Sequence, residues 1–338
     1  MKKQIIISLI LVTFWSCTKT IKFDDEGLAN QVVVSSFIST ESYFSSYITK
    51  SGSILEDRQN NSPIEGSMDL YEDGTLIRQF PSQLGGFSAT DIIPQAGKTY
   101  RMVISSNGKT LETETIIPQK VEVISVDTTS AAGINNERYI GFNIKIKDPE
   151  GDDYYRIVHI KESIRCVKDE KGTRKYYRSS AQSGIRSGDP VFKSVYNNFG
   201  DEIIGGPDNE YYIFPDNYFN GKEYTIKFRT NPDYTGNVSY PSNYGYGGGY
   251  GTTTQIYERN DIHIQKLSKD LYNYLKYLKL YNFYHDNPFS EPVPIYSNIK
   301  NGIGIFAGFN DETKLVYEKI FVPFSMDTIK LEEGSYGY

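Results

Sequence analysis

TYRMVISSNGKTLETETII, residues 99–117, is the stretch on which the fold turns. It sets Asn107-Gly108 between two alternating apolar and polar runs. A two-residue hairpin favours that dipeptide because both central positions need positive φ. Ser67 to Phe80 repeats the device around Asp73-Gly74. Two such hairpins among short, regularly spaced strands predict a small antiparallel sandwich of immunoglobulin or regulatory-module type that ends near Pro118. Upstream, Val32, Val34, Ser36 and Ile38 alternate with Val33, Ser35 and Phe37, and Tyr43 to Thr49 reads as a second strand.

Downstream the same signals continue at larger scale. Val121 to Val126 reads as a strand, as does Tyr139 to Lys147, where Ile140, Phe142, Ile144 and Ile146 mark one buried face. Further strands are expected at Tyr154 to Ile160, around Tyr224, Ile226 and Phe228, and at Ile256 to Gln265. Ser268 then caps a helix from Lys269 to about Tyr284, with Asp270 in its first turn. Leu271, Tyr274, Leu275 and Leu278 form a stripe that should pack on a sheet. Tyr272, Tyr277, Tyr281, Phe283 and Tyr284 read as core or rim packing, an aromatic face toward a ligand being the alternative. Gly302 to Phe309 reads as a glycine-rich buried strand, since it lacks the third glycine of a dinucleotide fingerprint and the lysine of a P-loop. Residues 168–210 are polar, with Lys171-Gly172, Ser187-Gly188-Asp189-Pro190 and Gly205-Gly206-Pro207 as breakers, and suggest a functional or mobile connection. The expected architecture is mainly β: an N-terminal immunoglobulin-like antiparallel sandwich over residues 30–119, then a larger β-sandwich over 120–338 that carries one amphipathic helix.

Residues 1–16 read as a secretory leader. Lys2 and Lys3 precede the apolar run from Gln4 to Trp15, and the small Ser16 stands before Cys17. The run is shorter than the ~20 residues a transmembrane helix needs. Lipidation of Cys17 is the expected outcome; an ordinary cleaved leader beside an incidental cysteine is the alternative. Residues 17–29 then form a tether containing Asp24, Asp25 and Glu26. Removing the leader leaves 322 of 338 residues and takes the formal charge from −6 to −8. That length suits about two domains, and that charge excludes nucleic acid, which requires a basic footprint.

With Cys17 lipidated, Cys166 has no cysteine to pair with and reads as a buried strand thiol. The 29 Tyr, 18 Phe and 29 Gly fit strand faces and amphipathic binding surfaces better than helical cores. Tyrosines gather in YTGNVSYPSNYGYGGGYG, residues 234–251, which is either a flexible loop or a contact loop presenting Tyr240, Tyr244, Tyr246 and Tyr250. In the run Asp148-Pro149-Glu150-Gly151-Asp152-Asp153, an ordinary turn competes with a calcium site built from Asp148, Glu150, Asp152 and Asp153. Calcium takes six to eight oxygens, but the spacing is not that of an EF-hand. His159, His263 and His285 are expected to be structural, and no zinc-protease pair, nucleophile elbow or cysteine pair occurs. No catalytic residue is assigned, although carboxylate pairs leave a hydrolase open.

Several stretches together resemble a family of Bacteroidota outer-membrane lipoproteins classed as a domain of unknown function. They are the lipobox-like Phe14-Trp15-Ser16-Cys17, QVVVSSFIST, the Asp73-Gly74 hairpin, Gly97-Lys98-Thr99-Tyr100, DPEGDDYYRI, LSKDLYNYLKYL and, most specifically, FSEPVPIYSNIKNGIGIFAGF. The resemblance implies a diacylglyceryl thioether on the Cys17 sulfur and an acyl chain, such as palmitate, on its amine. Two or three chains anchor effectively permanently, whereas one binds at only about 10⁴ M⁻¹. It also implies outer-leaflet display, and a TonB-dependent transporter encoded nearby. The resulting expectation is a non-enzymatic surface lipoprotein that assists an outer-membrane barrel or captures its nutrient ligand. The alternatives are a structural or adhesive surface module, and a carboxylate-dependent glycan or peptide hydrolase.

Overall fold

The computed structural model describes residues 31–52, 66–81, 85–106, 108–132, 137–168, 172–196, 207–230, 233–234, 252–285, 293–320 and 331–333. In chain order, the first half contains β1 (Val32–Ser39), β2 (Phe44–Lys50), β3 (Ser67–Glu72), β4 (Thr75–Pro81), β5 (Gly86–Ala89), β6 (Thr99–Ser106) and β7 (Lys109–Ile116). The middle contains β8 (Glu122–Ala132), β9 (Glu137–Lys147), β10 (Tyr154–Lys168), β11 (Arg174–Ser183), β12 (Ile185–Arg186) and the one-turn helix α1 (Pro190–Lys193). The remainder contains β13 (Ile213–Pro215), β14 (Glu223–Thr230), β15 (Asp233–Tyr234), β16 (Thr252–Leu267), helix α2 (Lys269–Tyr284), β17 (Ile303–Ile320) and β18 (Leu331–Glu333).

Asp73-Gly74 and Gly108 lie where hairpins need them. Asp73 and Gly74 take φ of 45° and 81° between β3 and β4, and Gly108 takes 71° between β6 and β7. The two hairpins join into a four-stranded sheet, β4-β3-β6-β7. A five-stranded sheet is built on β12-β14-β9-β15, with β8 also paired to β9. The nine-stranded sheet runs β18-β11-β10-β16-β17-β1-β2-β5, with β13 paired to β10.

The large sheet is the backbone of the molecule, because the two smaller sheets pack on one of its faces and α2 on the other. Val34 and Ile38 of β1 and Phe306 of β17 join Met68, Leu70, Tyr100, Met102 and Leu111 in the first core. Tyr155, Ile157, Ile262 and Ile264 of the large sheet meet Ile140, Phe142, Ile144, Ile146 and Ile226 in the second. On the opposite face Tyr272 of α2 stacks on Tyr154 at 4.6 Å, and Tyr274 lies 6.0 Å from Phe37. Each fully buried Ile, Leu or Phe in these layers contributes about 1.5–3 kcal/mol of transfer free energy.

The sandwich-like, mainly β architecture agrees with the sequence, and two pairings go beyond it. β1 runs parallel to β17, from Val33 opposite Ile303 to Ser39 opposite Phe309, and β11 runs parallel to β18. The nine-stranded sheet therefore draws strands from both sides of residue 119. β17 serves both cores: Phe306 enters the first, Ile305 and Ala307 the second. Helix α2 has the expected bounds, and its N-cap Ser268 Oγ accepts the Leu271 N–H at 3.2 Å. Leu271 and Leu275 are buried as expected, Leu278 is half-buried, and Tyr272 and Leu280 complete the buried set. Residues 168–210, expected as a functional or mobile connection, include the ten-residue strand β11. Cys166 is half-buried in β10 rather than buried, beside Ile164, Ile256, Tyr257 and Tyr176.

Candidate functional site

The chemically richest place among the described residues is a cleft of about 670 Å³ between the segment that follows β7 and the turn from β9 to β10. Pro118 to Glu122 line one side; Lys147 to Pro149, Asp152 to Tyr155 and Lys266 to Lys269 line the other. Asp148 and Asp153 line it, and with Asp216, which lies behind the lining, they each place a carboxylate oxygen within 4.8 Å of the others. Local folding explains the convergence. Asp148 follows the last residue of β9, Asp153 precedes the first of β10, and β13 pairs antiparallel with β10, Tyr154 opposite Pro215, which delivers the next residue, Asp216. The Asp216 N–H then donates to the Asp153 carbonyl at 3.0 Å.

The three acids differ in their partners. Asp148 is 2% exposed and accepts the Tyr155 hydroxyl on one oxygen and the Gly221 N–H, at 2.9 Å, on the other. Asp153 accepts the Lys266 ammonium at 2.7 Å. That lysine is 6% exposed, and its Nζ lies 5.9 Å from the centre of the Tyr155 ring. Asp216 is 3% exposed, and its Oδ2 has no hydrogen-bond partner among the described residues. Burial holds the Asp148 and Asp216 carboxyls above the usual carboxylate range, and the neighbouring acids push the same way. The Tyr155 hydroxyl is raised, first by burial and then by its bond to Asp148. Three acids against one ammonium make a pocket that suits a cation.

Of the four residues read from the sequence as calcium ligands, only Asp148 and Asp153 meet here. Glu150 and Asp152 are exposed on the turn, which Gly151 makes at φ 137°. The exposed carboxylates of Glu150 and Asp152 are not in the cluster; Asp216 takes the third place. No local spacing pointed to Asp216, because strand pairing alone carries it there.

None of the three histidines lines this cleft. His159 is 1% exposed, and its Nε2 lies 2.8 Å from Asn260 Oδ1. His263 Nδ1 is 3.1 Å from both Asp311 oxygens and 2.9 Å from Thr313 Oγ1, so the hydroxyl and the carboxylate share one ring nitrogen. His285 is the C-cap of α2. On the helix itself Tyr277 stacks with Tyr296 at 6.4 Å and Phe283 meets Tyr284 at 4.9 Å, while Tyr281 is 38% exposed beside His285.

The large sheet also has a direction. The described chain begins at Gln31, beside the end of the sheet where Val33 faces Ile303. From there β17 runs 18 residues, about 60 Å of extended chain, to Ile320 opposite Tyr257. Past that point Thr252 pairs with Lys168, which also faces Arg174 across the β10–β11 hairpin. Residues 235–251, with Tyr240, Tyr244, Tyr246 and Tyr250, lie outside the described residues, and they rejoin the fold at this far end through Thr252. Cys17 and the acidic tether likewise lie outside the described residues. A second open surface lies on the α2 side of β1 and β2, where Phe37 is 41% and Tyr47 52% exposed.

Among the described residues, no helix is long and apolar enough to cross a membrane. A family model described as a domain of unknown function (DUF4249) matches residues 18–315. No curated protein matches the chain.

Proposed function

The chain belongs to the DUF4249 family, and from that premise we propose that it is a surface-exposed Bacteroidota outer-membrane lipoprotein, held by lipid on Cys17, that assists a TonB-dependent barrel or captures its nutrient ligand without catalysis. The observation that carries the proposal is the direction of the large sheet. The tether joins at the Val33 end, and the tyrosine- and glycine-rich segment rejoins at the Thr252 end, with the full length of β17 between them. A body whose described chain begins at one end of the large sheet and takes up its tyrosine- and glycine-rich segment again at the other suits contact with a neighbouring membrane protein. Tyrosine in a Gly/Ser/Asn-rich segment supplies large amphipathic contact area at low entropic cost.

The hydrolase reading has less support. At the acidic cleft both Asp148 oxygens are engaged and Asp153 is paired with Lys266, so no exposed acid–base pair stands ready there. The test is purification of the tagged full-length protein from its own envelope in mild detergent. Stoichiometric recovery of an outer-membrane barrel is expected. Recovery alone under all growth conditions overturns the proposal, and a deletion strain that keeps uptake but loses attachment would instead select the adhesive role.

A further inference from the structure

We infer that Asp148, Asp153 and Asp216 form a binding site for a divalent cation of the calcium class, a property that goes beyond the partner-binding role and holds whatever the partner is. Two independent observations support it. The first is the spread of the three oxygens, all within 4.8 Å of one another. Oxygens bound to one calcium at about 2.3–2.6 Å must fall within roughly that distance of each other. The second is Asp216 Oδ2, an acceptor in a residue 3% exposed that has no partner among the described residues. A buried carboxylate oxygen left unsatisfied is destabilising, and a metal ion removes that cost.

The charge balance specifies the valence. Three carboxylates face one ammonium, Lys266, which is committed to Asp153. Two negative charges remain, and a divalent ion neutralises them. The donors are hard oxygens with no histidine or thiolate among them, which selects calcium or magnesium over zinc or copper. Calcium's tolerance of irregular geometry fits a site whose remaining ligands are water or backbone carbonyls, and the adjoining cleft of about 670 Å³ admits both ion and water. The ion ties together three segments distant in sequence: the end of β9, the start of β10 and the residue after β13. It thereby locks the turn from β9 to β10.

Terbium luminescence on the full mature chain, stripped with chelator, tests the inference. Trp15, the single tryptophan, lies in the leader, so tyrosine is the antenna, and Tyr155 is bonded to Asp148. Tyrosine-sensitised emission that calcium displaces at one ion per chain is expected. Tyr155→Phe should dim it severalfold, and Asp216→Asn should weaken calcium binding at least a hundredfold. At a hundredfold excess over Kd, calcium should raise the melting temperature by about 5 °C. Should Asp216→Asn fail to fold, the less buried Asp153→Asn serves in its place. Emission that calcium does not displace, an unmoved melting temperature, or undiminished binding in the folded variant overturns the site. Barrel capture is read separately, so failure of one proposal leaves the other intact.

Discussion

Gly304 faces Val34 across the parallel pairing of β1 and β17 at a distance no other residue tolerates. A Cβ on Gly304 would stand 1.9 Å from the Val34 carbonyl oxygen and 2.8 Å from its nitrogen, and the glycine holds φ at 117°. Substitution must therefore both strain the backbone and part the two strands that join the halves of the large sheet. Gly304→Ala should lower stability by about 3 kcal/mol or more, read as a fall in the urea midpoint. A midpoint equal to that of the wild type would mean that the strands are not so closely apposed.

The His263–Asp311 pair sets a pH dependence. The bond to Asp311 is the first cause that raises the His263 pKa above 6.5, against partial desolvation. Because the folded value exceeds the unfolded one, the stabilisation is fully present below about pH 6.5 and is lost as pH rises through the folded pKa. The wild type should lose up to about 1 kcal/mol across that window, and His263→Gln should flatten the curve. Equal slopes for the two proteins, in thermal melts from pH 6 to 9, would remove His263 as the source.

What could be read in advance follows from where the physics is local. Ile140, Phe142, Ile144 and Ile146 alternate because β9 buries one face, and Ser268 with its leucine stripe announces α2 within a few residues. Strand β11, RKYYRSSAQS, escaped because most of its positions are exposed and no apolar face is demanded of it. The pairing of β1 with β17 joins residues some 270 apart and leaves no local periodicity. Its trace was the glycines: Gly308, whose Cβ would meet the Ile116 carbonyl at 2.4 Å, marks a close backbone approach as Gly304 does. Asp148 and Asp153 were visible as a cluster, whereas Asp216 arrives only through the β13–β10 register.

In the sequence Asp189 is part of a breaker; in the structure it has a larger part. It is 8% exposed, and one oxygen accepts the Val191 N–H at 3.2 Å and the Tyr224 hydroxyl at 2.6 Å. The other accepts the Lys227 N–H at 3.0 Å, so one carboxylate caps α1 and pins it to β14. Asp189→Ala strands all three donors and should cost about 2–4 kcal/mol, while Tyr224→Phe, which removes one, should cost about 1. Chemical denaturation of both variants checks the ratio; equal losses would contradict the shared-carboxylate account.

Anchoring is tested at Cys17. If two or three acyl chains hold the protein, binding is effectively permanent, and Cys17→Ala should move the protein from sedimenting envelope fragments to the soluble fraction. Intact mass of the wild type should carry the acyl chains and begin at Cys17. A Cys17→Ala protein that still pellets, together with a wild-type N-terminus of unmodified mass, would remove the lipid anchor.

The tyrosines of residues 235–251 separate a contact segment from a passive one. They rejoin the fold at Thr252, opposite Lys168, and a few residues further along the sheet β10 and β16 contribute the small apolar cluster of Ile164, Ile256 and Tyr257. Interface energy concentrates in a few aromatic residues, each worth about 1–2 kcal/mol or more on truncation. Changing Tyr240, Tyr244, Tyr246 and Tyr250 together to serine should therefore cut recovery of the barrel partner at least tenfold. The melting temperature should stay within a degree or two, because both described cores lie in other segments. Undiminished capture would move the contact surface elsewhere, with the exposed Phe37 and Tyr47 face of β1 and β2 the next to be mutated.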